Sequence, residues 1–162
     1  MSLNSRAFRD ALGQFATGVA VVTARTPTGE TVGLTVNSFA SVSLDPPLVL
    51  WSLDRSSDRF EAFMQADQFA VNVLSDECLT LSQRLSRKGE RSLHDEPLRA
   101  GTHDLPLLER ALAHFECRVE ARHDAGDHVI FVGRVLRFSH NENRRPLLYY
   151  RGRYRALSEP EG

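Results

Sequence analysis

The stretch Gly33–Leu44, GLTVNSFASVSL, followed directly by Asp45–Leu53, DPPLVLWSL, is the most informative part of this chain. Apolar side chains dominate its even-numbered positions and polar ones its odd-numbered positions, which is the alternation of a β-strand with one apolar face. No Lys, Arg, Asp or Glu occurs over Thr31–Leu44, although 25% of the chain is charged. Because a strand face in water normally carries some charge, we expect a polar partner to cover this uncharged face.

Length, charge and apolar runs limit the class of protein. The 162 residues suffice for one domain with a sizeable core, and we expect a single domain over residues 1–162. The formal net charge of -1 gives no electrostatic attraction to nucleic acid or to an anionic membrane, so we expect neither partner. The apolar runs are far shorter than the roughly 20 residues that cross a bilayer, and MSLNSRAFRD lacks the apolar core of a signal peptide. We therefore expect a cytoplasmic protein.

The periodicity of the chain predicts a mainly β fold with peripheral helices. A hairpin should join Val19–Arg25 to one long strand over Thr31–Leu44, and a second should join Ala111–Ala121 to His128–Phe138. There is no βαβ alternation and no GxGxxG turn, which argues against a dinucleotide-binding α/β fold. A closed or partly closed antiparallel barrel fits this pattern best.

Two segments outside the strands carry further expectations. An N-terminal helix that runs towards Gly18 would place Phe8, Leu12 and Phe15 on one apolar face, which must dock on something. The segment Gly89–Thr102 is polar and irregular, and we expect it to be a mobile loop.

Hydrolytic and metal-dependent chemistry find little support. No GxSxG elbow is present, and the six histidines are scattered, so neither a serine nucleophile nor a metal site is expected. Cys78 and Cys117 lack a ligand spacing and are expected to be buried thiols.

Two clusters of small polar residues could bind one ligand. The first contains Thr35, Asn37 and Ser38, and the second contains Ser52 with Ser56–Ser57 beside a predicted helix start. Hydroxyl and amide groups suit a polar chain, and hydroxyls near a helix start suit a phosphate. A ligand with a polar chain and an anionic end would contact both clusters.

Four blocks, GLTVNSFASVSLDPPLVLWSL, FAVNVL, AGDHVIFVGRV and PLLYYRGRY, together resemble the flavin reductase family. These are the small NAD(P)H:flavin oxidoreductase components of two-component monooxygenases, and the resemblance covers a core of about residues 8–157. It implies a split β-barrel, usually a homodimer, with FMN or FAD bound near the subunit interface. It also implies NADH or NADPH as hydride donor and a separate flavin-dependent monooxygenase as partner.

The resemblance also implies roles for individual residues. The residues implied to bind the flavin ring, its polar chain and its phosphate are Thr35, Val36, Asn37, Ser38, Ser52, Leu53, Ser56 and Ser57, with Arg84 and Lys88 as further phosphate partners. Asp127 and His128 would lie beside the nicotinamide, with His128 as the catalytic residue, and Tyr154 would shape the nucleotide site.

Two other functions remain open at this point. A non-catalytic flavin- or haem-binding carrier or sensor on the same barrel would share the first block but would have no need of the GDH block. An enzyme that resembles pyridoxamine oxidases would oxidise an amine without NADH, and no feature of the sequence favours it.

Overall fold

The computed structural model describes residues 3–160, and their secondary structure is mostly β. The helices are α1 (Ser5–Leu12), α2 (Phe60–Gln65) and α3 (Leu79–Leu85), with short 3-10 turns at Asp76–Cys78 and Thr102–Asp104. The strands are β1 (Thr17–Gly18), β2 (Ala20–Arg25), β3 (Thr31–Val36), β4 (Ala40–Leu44), β5 (Pro47–Asp54), β6 (Gln68–Leu74), β7 (Leu98–Ala100), β8 (Pro106–Leu108), β9 (Ala111–Ala125), β10 (His128–His140), β11 (Leu147–Tyr150) and β12 (Arg153–Ala156). The predicted mainly β fold with peripheral helices is confirmed.

Seven strands form the main sheet, in the order β3-β2-β6-β9-β10-β5-β4, and every neighbouring pair is antiparallel. Its core is aromatic: the ring of Trp51 stacks on Phe131 with centroids 4.7 Å apart, and the edge of Phe63 from α2 meets Trp51 at 5.1 Å. Smaller sheets contain β1-β11-β12 and β7-β8. The two predicted hairpins, β2-β3 and β9-β10, are present.

The two edge strands of the main sheet, β3 and β4, follow one another in the sequence. Val36 pairs with Ala20 on β2, whereas Ala40 pairs with Leu50 on β5, so the single long strand predicted over Thr31–Leu44 is wrong. Seven flat strands would hold the edges about 29 Å apart. The short link Asn37–Phe39 spans at most roughly 14 Å, so the sheet must curl until its edges approach.

The N-terminal helix is shorter than predicted and does not pack on the core. It ends at Leu12, its N-cap is Asn4, whose side chain accepts hydrogen bonds from Arg6 N and Ala7 N, and none of its residues is buried. Leu12 and Phe15 are 59% and 79% exposed. The apolar face therefore finds no partner among the described residues.

The segment Gly89–Thr102 is attached to the sheet, contrary to the expectation of a mobile loop. The carbonyl of Arg91 accepts a hydrogen bond of 3.0 Å from Gly33 N, and Leu93 is fully buried. Glu96 binds the guanidinium groups of Arg84 and Arg110 at 3.2 and 3.0 Å. The segment is held mainly by one buried apolar residue, Leu93, and one ion-paired carboxylate, Glu96. Two such residues produce no periodic pattern, so the sequence did not indicate that the segment is attached.

Candidate functional site

The link between β3 and β4 is tied to β5 by a side chain. The hydroxyl of Ser38 accepts a hydrogen bond of 2.9 Å from Ser52 N and lies 3.5 Å from the Ser52 carbonyl oxygen. The last backbone pair between β4 and β5 on this side is Ala40 with Leu50, two residues away from Ser38 and Ser52. The Ser38 hydroxyl therefore takes the place of a backbone partner for Ser52 N. The two polar clusters identified in the sequence are therefore joined in space at this contact.

A cleft opens on the β3 side of this junction. It has a volume of about 320 Å³, and Thr35, Val36, Asn37 and Tyr154 are among the residues that line it. Thr35 and Tyr154 are far apart in sequence, yet the structure brings them together as two walls of one cleft. Thr35 and Asn37 of the first cluster thus face a space that could hold a ligand.

Ser82 on α3 connects the two walls and was not identified from the sequence. It is fully buried, its carbonyl accepts a hydrogen bond of 2.8 Å from the Thr35 hydroxyl, and its own hydroxyl lies 2.8 Å from the Tyr154 hydroxyl. The only signal in the sequence is a serine beside the apolar stripe of a helix. A serine at such a place is ordinarily unremarkable, and its partners lie on distant strands.

The second group of predicted residues lies where β5 ends and β10 begins. His128 is opposite Asp54 in the sheet, and its Nδ1 lies 2.7 Å from Asp127 Oδ1. The Asp54 carboxylate accepts hydrogen bonds from Ser56 N at 2.7 Å and Ser56 Oγ at 2.8 Å. These two bonds lower the pKa of Asp54, with smaller contributions from the charges of His128 and Lys88. Ser56 and His128 therefore lie beside one ionised carboxylate.

Three predicted site residues are already engaged elsewhere. The guanidinium of Arg84 donates to the Ser92 carbonyl at 2.9 Å and to Glu96, so it holds the attached segment and does not present a free cation. The side chain of Leu53 is fully buried in the main core. Ser57 Oγ accepts a hydrogen bond of 3.1 Å from Arg59 N. Arg84 as a phosphate partner stays a prediction, and this role would require its guanidinium to leave the ion pair with Glu96.

A metal site and a membrane-spanning helix are not found among residues 3–160. No group of three or more His, Cys, Asp or Glu side chains in that range could hold a metal ion, and no helix there is long and apolar enough to cross a membrane. Cys78 and Cys117 are free, buried thiols, as predicted. Burial raises the pKa of Cys117 to about 12, so its thiol stays protonated and is a poor nucleophile.

Comparison with known proteins identifies the family. The model of the flavin reductase like domain matches residues 12–158. The FMN reductase (NADH) SmoA of Agrobacterium fabrum is 52% identical over 155 residues, which are 96% of this chain and 87% of SmoA. The reductase subunit HsaB of a flavin-dependent monooxygenase from Rhodococcus jostii is 37% identical over 160 residues, 99% of this chain and 81% of HsaB. Another relative is longer, and the chain covers 48% of it.

Among solved structures, the NADH:FAD oxidoreductase SgcE6 of Streptomyces globisporus, in complex with NAD and FAD fragments, superposes with a TM-score of 0.90 at 30% identity, over 100% of this chain and 99% of that one. The similarity of fold and the family match both extend over nearly the whole length of the chain. The protein therefore belongs to the flavin reductase family.

Proposed function

We propose that the protein transfers hydride from NADH to FMN or FAD and supplies the reduced flavin to a separate monooxygenase. The observation that carries this proposal is the contact between Ser38 and Ser52, which joins the neutral polar cleft to the end of β5 near His128. One elongated ligand could contact both regions. The names of the relatives support the same reaction: SmoA is an FMN reductase that uses NADH, and HsaB is a monooxygenase reductase subunit.

The residues present fit a flavin in most respects. The exposed carboxamide of Asn37 and the hydroxyls of Thr35 and Ser38 offer neutral hydrogen-bonding groups for a polyhydroxyl chain. Both donors of Ser56 are directed at Asp54, whose carboxylate repels an anion, so we assign the phosphate to Ser57 and Lys88. The Ser57 hydroxyl accepts from Arg59 N and keeps its own hydrogen to donate.

The flavin, when bound, supplies the centre that accepts the hydride. The chain positions the two nucleotides. Asp127 accepts a hydrogen bond from His128 Nδ1. This bond favours the tautomer of His128 whose Nε2 is free to accept a hydrogen bond from NADH. Tyr149 and Tyr154, whose rings meet edge to face at 5.3 Å, form an apolar wall that reduces access of water to the cleft. His128 thus orients NADH.

The reaction itself is tested by anaerobic titration with FMN and with FAD, each followed by NADH and NADPH. We expect NADH to bleach the flavin absorbance with catalytic turnover. A flavin that binds but is never reduced would refute the reductase and favour the carrier or sensor.

The role of His128 is tested by His128→Ala. We expect kcat/KM for NADH to fall by about 2- to 10-fold, the value of one lost hydrogen bond between neutral groups. Flavin affinity, read from quenching of the single tryptophan, Trp51, should change little. The exposed His123 on the neighbouring strand provides the control variant His123→Ala. Equal rates for both variants would remove His128 from the mechanism.

We also propose that the curved sheet is a split barrel in a single domain, and that a second copy of the chain covers an apolar patch on β4 and β10. Leu44 is 95% exposed and Phe138 is 71% exposed, and Val42 and Leu136 are exposed on the same two strands. A homodimer should appear in light scattering, and Leu44→Lys should weaken it. Since NADH is a cytoplasmic reductant, we place the reaction in the cytoplasm.

A further inference from the structure

We propose that a second cleft, beside the one predicted to hold the flavin, binds the adenosine diphosphate half of a dinucleotide. The identity of this ligand rests on the proposed function. The cleft has a volume of about 650 Å³ and lies between α1 and the turn that joins β11 to β12. Such a volume is in the range of about 300–1,000 Å³ that is usual for small-molecule sites.

The two clefts share part of their lining, so one ligand could extend through both. Asn37, Tyr149 and Gly152 contribute to each. Asn37 belongs to the predicted flavin cluster, so the second cleft begins beside the proposed flavin. A dinucleotide with its nicotinamide or flavin end near Asn37 would place its other end against α1.

The charges of the second cleft suit a diphosphate. Arg9 and Arg151 line it together with a single carboxylate, Asp10. Within residues 3–160 the side chain of Arg9 makes no hydrogen bond or ion pair of its own. Arg151 Nε donates to Gln14 Oε1 at 3.0 Å, and its two terminal nitrogens are left for a ligand. Guanidinium groups bind phosphate oxygens in pairs, and a carboxylate can accept from ribose hydroxyls.

Two apolar side chains of this cleft also indicate a ligand. Phe15 lines the cleft and is 79% exposed, although an aromatic ring in water is unfavourable. An adenine ring would cover Phe15. Leu12, at the end of α1, lines the same cleft, is 59% exposed and would then lie beside the nucleotide base.

NADH and FAD both contain adenosine diphosphate, whereas FMN and reduced nicotinamide mononucleotide do not. The test variant is Arg9→Gln, since Arg9 is exposed on α1. The control is Arg6→Gln on the same helix, because Arg6 does not line the cleft. With FMN as acceptor, we expect Arg9→Gln to raise the KM for NADH by about tenfold and to leave the KM for the mononucleotide unchanged. Arg6→Gln should change neither.

If Arg9→Gln instead weakens binding of FAD and not of FMN, the cleft still binds adenosine diphosphate, but as part of the flavin. Calorimetry with ADP alone gives a readout without turnover, and ADP should bind the wild-type protein more tightly than Arg9→Gln. Equal effects on dinucleotides and mononucleotides, or equal ADP binding by both proteins, would overturn the inference. A wild-type protein that binds ADP but does not oxidise NADH would refute the proposed function and leave the cleft assignment standing.

Discussion

Gly133 on β10 lies at one of the tightest contacts of the main core. A Cβ atom at this position would lie 2.5 Å from Phe69 Cζ and 3.0 Å from Cys117 Cβ, and both neighbours are buried. Carbon atoms do not approach to these distances without displacement, since their optimal separation is about 3.5–4.0 Å. Gly133→Ala must therefore move the Phe69 ring or bend β10, which also carries His128 at its first position.

Overpacking of this kind costs about 1–3 kcal/mol of unfolding free energy. For a chain of this size each kcal/mol lowers the melting temperature by about 2–4 °C, so we expect Gly133→Ala to melt about 2–12 °C below the wild type. The assay is thermal and urea unfolding followed by circular dichroism and by the fluorescence of Trp51, which packs against Phe69 with ring centroids 5.8 Å apart.

Gly18→Ala provides the matched control, because Gly18 is also in a strand and a Cβ there would meet no atom within 4 Å. We expect its stability to change by less than about 0.5 kcal/mol. Phe69→Leu should reduce the extra cost of Gly133→Ala, since a smaller side chain leaves room for the methyl group. Equal melting temperatures for Gly133→Ala and Gly18→Ala would refute the packing argument.

Two other predictions concern single contacts. Ser82→Ala and Tyr154→Phe each remove the same hydrogen bond between the cleft walls, so we expect each to raise the KM for flavin or NADH by about 2- to 10-fold in steady-state assays. The double variant should be no worse than either, and additive losses would contradict the shared bond. Burial, aided by the charge of Arg99, lowers the pKa of His114 below its ordinary value of 6.5. The unfolded chain therefore takes up a proton first as the pH falls below 6.5, and urea titrations should show unfolding free energy decreasing by at most about 1.4 kcal/mol per pH unit. His114→Gln should flatten this dependence, and an unchanged slope would show that other groups cause it.

Local patterns were sufficient to predict much of the fold. The hairpin of β9 and β10 follows from two β-rich runs around a turn, where Gly126 has the positive φ of 64° that glycine adopts readily. Both buried thiols also follow from residue type and spacing. These features depend on neighbours that are close in sequence.

The break at Asn37–Phe39 could not be predicted in this way. Alternation is the same in one long strand and in two short strands separated by an odd number of residues, so periodicity cannot distinguish them. The difference lies in the partners, β2 for one half and β5 for the other, which are set by tertiary pairing. The pairing of Arg84 with Glu96 and the position of Ser82 depend on distant elements for the same reason.

The break also changes the explanation of the uncharged stretch. Thr35 and Asn37 line the cleft that we assign to the flavin, but every residue of β4 except Ser43 is exposed. A flavin near the link could not cover all of β4, because the strand extends along the sheet edge away from Ser38. We therefore expect two partners: a nucleotide at the end of β3, and a protein surface on β4. The second copy of the chain proposed to cover Leu44 would supply the protein surface on β4. The absence of charge then has one physical cause on β3, the nucleotide, and another on β4, the subunit contact.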